Sequence, residues 1–245
     1  MGIIACGIVI DGLPKINESN VLDQKRLKTK FQKSHTTNLS PKDLHIIFHN
    51  NCTVILLDMI FYQNISEEAE LTELEKDIYR IFPGSYFMIF VLNDMVDFHG
   101  YSMIDEEGKK IRTKAVVRDE IFLDFGDLNK YERVLYDTFI NSLEKYPNSK
   151  KYVNDAFSSL PNSEKEKACL KFRDAVQLKY SSEVKMGYNN GTLDSYIIEK
   201  EFKLITGLHL LDLEQLEGIQ FQRRKLNFKK DSLIEFLYIA KEQLL

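Results

Sequence analysis

The chain has 245 residues, with 33 Lys and Arg against 37 Asp and Glu and a formal net charge of −4. At 44% hydrophobic and 29% charged residues it has the composition of a globular protein, and its acidic balance argues against bulk binding of nucleic acid. The length predicts roughly one to two domains and a core that needs no cross-links. No apolar run approaches the ~18 residues of a membrane span. The N-terminus lacks the basic flank and small-residue cleavage pattern of a secretory signal. Met1-Gly2 opens like a myristoylation site, but Cys6 stands where that motif needs Ser or Thr. Cys6, Cys52 and Cys169 are odd in number, far apart and set among apolar neighbours, which predicts buried, reduced thiols in a cytoplasmic protein.

In chain order, the apolar run from Gly2 to Ile10 stops at Asp11-Gly12-Leu13-Pro14 and reads as a buried strand. Residues 15–38 are polar, with five basic side chains from Lys25 to Lys33, and read as a weakly attached helix or a loop. Ser40-Pro41-Lys42-Asp43 has the pattern of a helix start and predicts a short helix ending at Asn50-Asn51. Cys52 to Tyr62 is apolar throughout except Asp58 and Thr53, as a strand buried on both faces would be. Ser66-Glu67-Glu68-Ala69 opens a second helix, with Leu71, Leu74, Ile78 and Ile81 as its apolar stripe and Pro83-Gly84 as its stop.

Next come strands at Tyr86–Leu92, Val96–Ile104, Ile111–Val117 and Glu120–Phe125, with Asp105-Glu106-Glu107-Gly108 as an exposed hairpin tip tolerant of replacement. From Asn129 the pattern turns helical, through residues 131–146, 161–179 and 192–206, the last stopped by Gly207. A late strand at Gly218–Lys225 and a final helix from Asp231, with Leu233, Phe236, Leu237 and Ala240 on one side, complete the chain. Together these predict an α+β fold: a central mixed, largely antiparallel sheet flanked by helices, with a helix-rich C-terminal part. Residues 1–146 form the sheet-containing region and 147–245 a mainly helical region packed on it, in one domain or two.

Four groups of residues could carry chemistry. Gly2, Gly7 and Gly12 are evenly spaced, but no Gly-Lys-Ser/Thr follows, so close strand packing explains them better than a phosphate loop. His45 and His49, one turn apart on the expected helix, are candidate metal ligands that lack a third partner and the Glu of a His-Glu-x-x-His motif. Asp94, Asp97, His99 and Tyr101 are the candidate catalytic cluster. In a strand, Asp97, His99 and Tyr101 would share one face, and carboxylate beside imidazole is raw material for acid–base chemistry. The ordinary alternative is a hydrogen-bonded sheet face. Charge blocks are the fourth group: basic Arg223, Arg224, Lys225, Lys229 and Lys230 near Phe221 and Phe228, and acidic Glu67, Glu68, Glu70, Glu73, Glu75 and Asp77 with Asp105, Glu106 and Glu107. The basic block fits phosphate contacts or a guarded strand edge. The acidic block fits a solvated face or a docking surface for a basic protein.

The stretch Val96-Asp97-Phe98-His99-Gly100-Tyr101-Ser102-Met103-Ile104, its acidic-Gly turn and its basic return through Arg112 resemble a family of uncharacterised bacterial cytosolic proteins. The Met-Gly start and the first strand ending at Asp11-Gly12 add to the likeness. The resemblance implies a bacterial, cytosolic α+β protein and brings no activity with it.

With no catalytic motif and no cofactor implied, the leading expectation is a non-catalytic protein-binding protein, an immunity- or antitoxin-like partner that neutralises a toxin. Glu67, Glu68, Glu70, Glu73, Asp105, Glu106 and Glu107 are its candidate contacts. A hydrolase built on Asp94, Asp97, His99 and Tyr101 is the alternative, and a nucleic-acid binder using the C-terminal basic block comes third. No membrane association is expected.

Overall fold

The computed structural model describes residues 4–16, 31–35, 44–56, 65–66, 68–117, 120–130, 190–221 and 233–244. These residues contain nine strands: β1 (Ile4–Ile10), β2 (Phe31–His35), β3 (Leu44–His49), β4 (Cys52–Leu56), β5 (Phe87–Asn93), β6 (Phe98–Ile104), β7 (Lys110–Val117), β8 (Glu120–Gly126) and β9 (Glu217–Phe221). Among the described residues three α-helices accompany them, α1 (Glu73–Ile81), α2 (Asn190–Thr206) and α3 (Leu233–Leu244), with a 3-10 helix at Leu210–Gln215. The strands form one sheet in the order β2-β9-β3-β4-β1-β5-β6-β7-β8. The fold is α+β as expected. Among the described residues every pairing is antiparallel, so the expected antiparallel character extends over the whole of this sheet. β9 lies between β2 and β3, so the C-terminal region contributes a strand to the sheet itself.

Alternation along the strands builds two cores. On one face Ile8, Ile10, Ile46, Ile89 and Ile104 pack with Ile78 and Ile81 of α1 and Phe236, Leu237 and Ala240 of α3. On the other, Val9, Ile47, Val54, Met88, Phe90 and Tyr101 pack with Ile197, Ile198 and Phe202 of α2 and with Leu210 and Leu213. Phe90 and Phe202 meet edge to face at 6.1 Å, a geometry that adds about 0.5–1.5 kcal/mol beyond area burial. Gly207, at φ 78°, ends α2 where the sequence places the stop.

Several expectations need correction. Leu44–His49 is a strand and not a short helix: Leu44 and Ile46 enter one core and Ile47 the other, so both faces are covered and the extended form buries more. Part of the polar stretch 15–38 is also strand, Phe31–His35, paired with β9. The acidic helix starts at Thr72, not Ser66. Thr72 Oγ1 accepts from the Glu75 amide at 3.3 Å and the Glu75 carboxylate accepts from the Thr72 amide at 2.7 Å, and this reciprocal cap fixes the first turn. β6 begins at Phe98. The expected helices over 131–146 and 161–179, the boundary at 147–163, Cys169 and the remainder of the strand to Tyr62 lie outside the described residues.

Strand β7 carries three buried cations, each met by a carboxylate from a different element. A bulge at Ile111 sets Lys110 opposite Ile104 and Arg112 opposite Met103, so Lys110 faces α1 while Arg112 and Lys114 face α2. Lys110 Nζ lies 3.0 Å from Glu75 of α1, both side chains fully buried. Glu75 also accepts from Ser102 Oγ at 2.7 Å. Arg112 pairs with Asp124 of β8, and Lys114 Nζ donates to Asp194 of α2 at 2.6 Å with both side chains at 0% exposure. The inward Asp124 and a register shift near Val116 also roughen the β8 edge against pairing with other strands.

Removing one partner of such a pair strands the other charge in a low-dielectric interior. Lys114→Ala is therefore expected to cost about 3–5 kcal/mol in urea unfolding, whereas the double change Lys114→Met with Asp194→Leu is expected to regain most of that loss.

Candidate functional site

The candidate catalytic cluster is built around the turn between β5 and β6. Asn93 shapes it: Oδ1 accepts from the Met95 amide at 3.1 Å and its carbonyl accepts from the Val96 amide at 3.3 Å. Asp97 closes the turn at φ 50°, a left-handed conformation that short polar side chains tolerate better than most. Asp97 thus precedes the strand, and its approach to His99 comes from the turn and not from strand alternation. His99 Nε2 lies 3.0 Å from Asp94 Oδ1, and Nδ1 lies 3.6 Å from Asp97 Oδ1. The ring is 5% exposed, while the two carboxylates, at 39% and 41%, reach solvent.

Tyr101 shares the His99 face about 7 Å further along the strand. It is fully buried, opposite Phe90 on one side and Lys114 on the other. The structure therefore brings Asp94, Asp97 and His99 together and leaves Tyr101 in the core behind them. Asp94 on Nε2 can orient the imidazole as a carboxylate does in an acid–base pair. Nδ1, the nitrogen a reacting group would need, is itself buried. In this arrangement the cluster braces the turn.

His45 and His49 do not make a pair. In strand β3 four residues span about 13 Å, too far for two imidazoles to share one ion. His45 is buried opposite Leu56 and Gln220, and His49 Nε2 is 2.7 Å from Asn50 Nδ2. Among the described residues, no group of three His, Cys, Asp or Glu side chains converges as metal ligands would. The basic block from Arg223 to Lys230 lies outside the described residues.

The acidic residues sort differently. Glu67 lies outside the described residues, and Glu75 is buried as the partner of Lys110. Glu68 and Glu70 are exposed on the bends before α1. Glu73 is exposed at its first turn, where Lys76, 2.9 Å away, holds the Glu73 carboxyl below its usual range by hydrogen bonding and charge. Asp105 is tied down, its Oδ1 accepting from the amides of Glu107 and Lys109 at 3.1 and 2.8 Å. Glu106 and Glu107 are exposed, as expected of the hairpin tip, but Gly108 stands at φ 77° with the Tyr79 ring where a Cβ would be, so the tip packs on α1 at that position.

That packing joins two acidic segments distant in sequence. Tyr79 Oη reaches the Glu106 carbonyl at 3.5 Å, and Lys110 Nζ donates to the carbonyls of Ser66 and Glu70 at 3.2 Å each. One surface results, carrying exposed Glu68, Glu70, Glu73, Asp77, Glu106 and Glu107 against exposed Lys76, Arg80 and Lys109.

Sequence reasoning missed the β7 cations and their partners. The signal was Lys110-x-Arg112-x-Lys114 on a strand whose hairpin partner Phe98–Ile104 is buried throughout, a spacing that cannot expose all three once both sheet faces are covered. Glu201 of α2 was also missed. Burial raises its carboxyl pKa against the opposing pull of Lys130 at 3.8 Å and of Tyr86 Oη, which donates to it at 3.4 Å.

Cys6 and Cys52 are buried and form no disulfide among the described residues. Burial, then the charge of Asp11, pushes Cys52 up to about 11. Among the described residues no helix is long and apolar enough to cross a membrane. Compared with known protein families, curated proteins and solved structures, the chain matches none.

Three expectations follow from this geometry. Thiol reagents are expected to label Cys52 slowly in the native protein at pH 7 and rapidly in denaturant, since the thiolate is scarce and enclosed. The sign of the shift means that the unfolded thiol ionises first, so the Cys52 contribution to stability is full below about pH 8.5 and is lost toward pH 11. For the turn, His99→Ala is expected to lower stability by about 1–3 kcal/mol in chemical unfolding, because it deletes a buried ring and its contacts to Asp94 and Asp97.

Proposed function

We propose that this chain is a non-catalytic protein-binding protein that receives a basic partner on the surface formed by residues 68–77 and the hairpin tip at 105–109. The role resembles that of an immunity or antitoxin protein, in which docking neutralises a toxin. The observation that supports the reading is the junction of two acidic segments through Tyr79–Glu106 and Lys110–Glu70. Clustered carboxylates raise the encounter rate with a cationic surface, whereas dispersed ones cancel against neighbouring lysines. Acids at a helix start also stabilise the helix through its dipole. That accounts for Glu73, but not for Glu106 and Glu107, which belong to a hairpin.

The second reading, a hydrolase at Asp94, Asp97, His99 and Tyr101, draws on the Asp94–His99 contact. The enclosure of Nδ1 and of Tyr101 weighs against it.

A pull-down from the source cell, repeated with Glu68, Glu70, Glu106 and Glu107 all changed to Lys, separates these readings. The expected result is a partner of basic charge whose association rate falls roughly tenfold or more with the reversed variant or with high salt. Equal recovery by the reversed variant excludes this surface. A His99→Ala protein that folds but loses cellular effect while still binding the partner favours the enzyme.

A further inference from the structure

The methionines among the described residues differ sharply in exposure. Met88 and Met103 are 0% and 1% exposed, on strands β5 and β6 beneath α2, whereas Met95 is 76% exposed at the crest of the β5–β6 turn. Val96 beside it is 50% exposed, so the crest presents two apolar side chains. The backbone beneath is fixed on every side: the Met95 amide by Asn93, Asp97 by its left-handed conformation, and Asp94 by His99. The Met95 thioether therefore stands in solvent on a rigid support, with no burial into which it can withdraw.

We propose that Met95 is a modification site, oxidised to the sulfoxide by hydroperoxides. A lone pair on Sδ attacks one peroxide oxygen, the O–O bond breaks and an S–O bond forms. The proton carried by the transferred oxygen passes to the departing hydroxide of hydrogen peroxide, or alkoxide of an organic hydroperoxide, which leaves as water or alcohol. The sulfur loses two electrons and the peroxide gains them. The product exchanges an apolar, polarisable group for a polar acceptor at the crest, and leaves the core untouched because Met95 does not contribute to it. The proposal goes beyond the protein-binding reading and does not depend on it.

Treatment of the folded chain with hydrogen peroxide, followed by peptide mass spectrometry for the added oxygen, tests it. Met95 is expected to oxidise at least about tenfold faster than Met88 and Met103, whose sulfurs react only after the structure opens. In denaturant the three rates are expected to converge. The thermal midpoint is expected to stay constant while Met95 is converted, and Met95→Leu is expected to keep that midpoint and remove the fast oxygen uptake. Equal rates in the folded chain, slower reaction at Met95, or a midpoint that falls in step with its oxidation would each overturn the proposal.

Discussion

The matching of three buried cations on β7 with three carboxylates from separate elements is the constraint on which this structure depends. A lone ammonium or guanidinium in the interior costs several kcal/mol in lost hydration, and only a close, hydrogen-bonded counter-charge offsets it. Lys110 draws in α1 through Glu75, Arg112 holds β8 through Asp124, and Lys114 fastens α2 through Asp194. The bulge at Ile111 makes this distribution possible by sending Lys110 to one face of the sheet and Arg112 and Lys114 to the other. Hydrophobic burial supplies most of the driving force for the two cores, but it is non-directional. The ion pairs add direction, and specify which helix lies on which face and at what register.

The exposed acidic surface is a consequence of the same constraint. Glu75 accepts from the Thr72 amide, from Ser102 and from Lys110, so one buried carboxylate sets the helix start and its position against β6 and β7 together. Lys110 also takes the carbonyls of Ser66 and Glu70, which fixes the segment bearing Glu68 and Glu70 beside the hairpin. The Tyr79 ring under Gly108 then holds Glu106 and Glu107 next to them. A partner meeting these side chains would find them in a fixed arrangement, which lowers the ordering cost of association.

Local pattern was enough where an element's environment is uniform. The apolar run of β5 up to Leu92, the hairpin around Gly108, α2 with its Gly207 stop and the apolar side of α3 were all legible, because periodicity and turn residues agree there. β3 was not, since Ser40-Pro41-Lys42-Asp43 offers a helix start and Leu44, Ile47 and Phe48 fit helical spacing as well as they fit a strand covered on both faces. The placement of β2 and β9 beside β3 depends on pairings nearly two hundred residues apart, which no window can register. The candidate cluster was half legible: Asp94, Asp97 and His99 do gather, but through a left-handed turn and not through strand alternation. Lys114 reads as a solvated strand residue until Asp194, eighty positions later, is brought against it.

Double-mutant cycles across the β7 pairs measure the central claim most directly. Glu75–Lys110 and Lys114–Asp194 lie on opposite faces of the sheet, so their effects should be independent of one another. The account predicts coupling of about 2 kcal/mol or more within each pair, and a cross-pair term within about 0.5 kcal/mol of zero, from urea unfolding of the single and double variants. Coupling near zero within the pairs would contradict it, because the charges would then be solvated and the placement of α1 and α2 would rest on apolar packing alone.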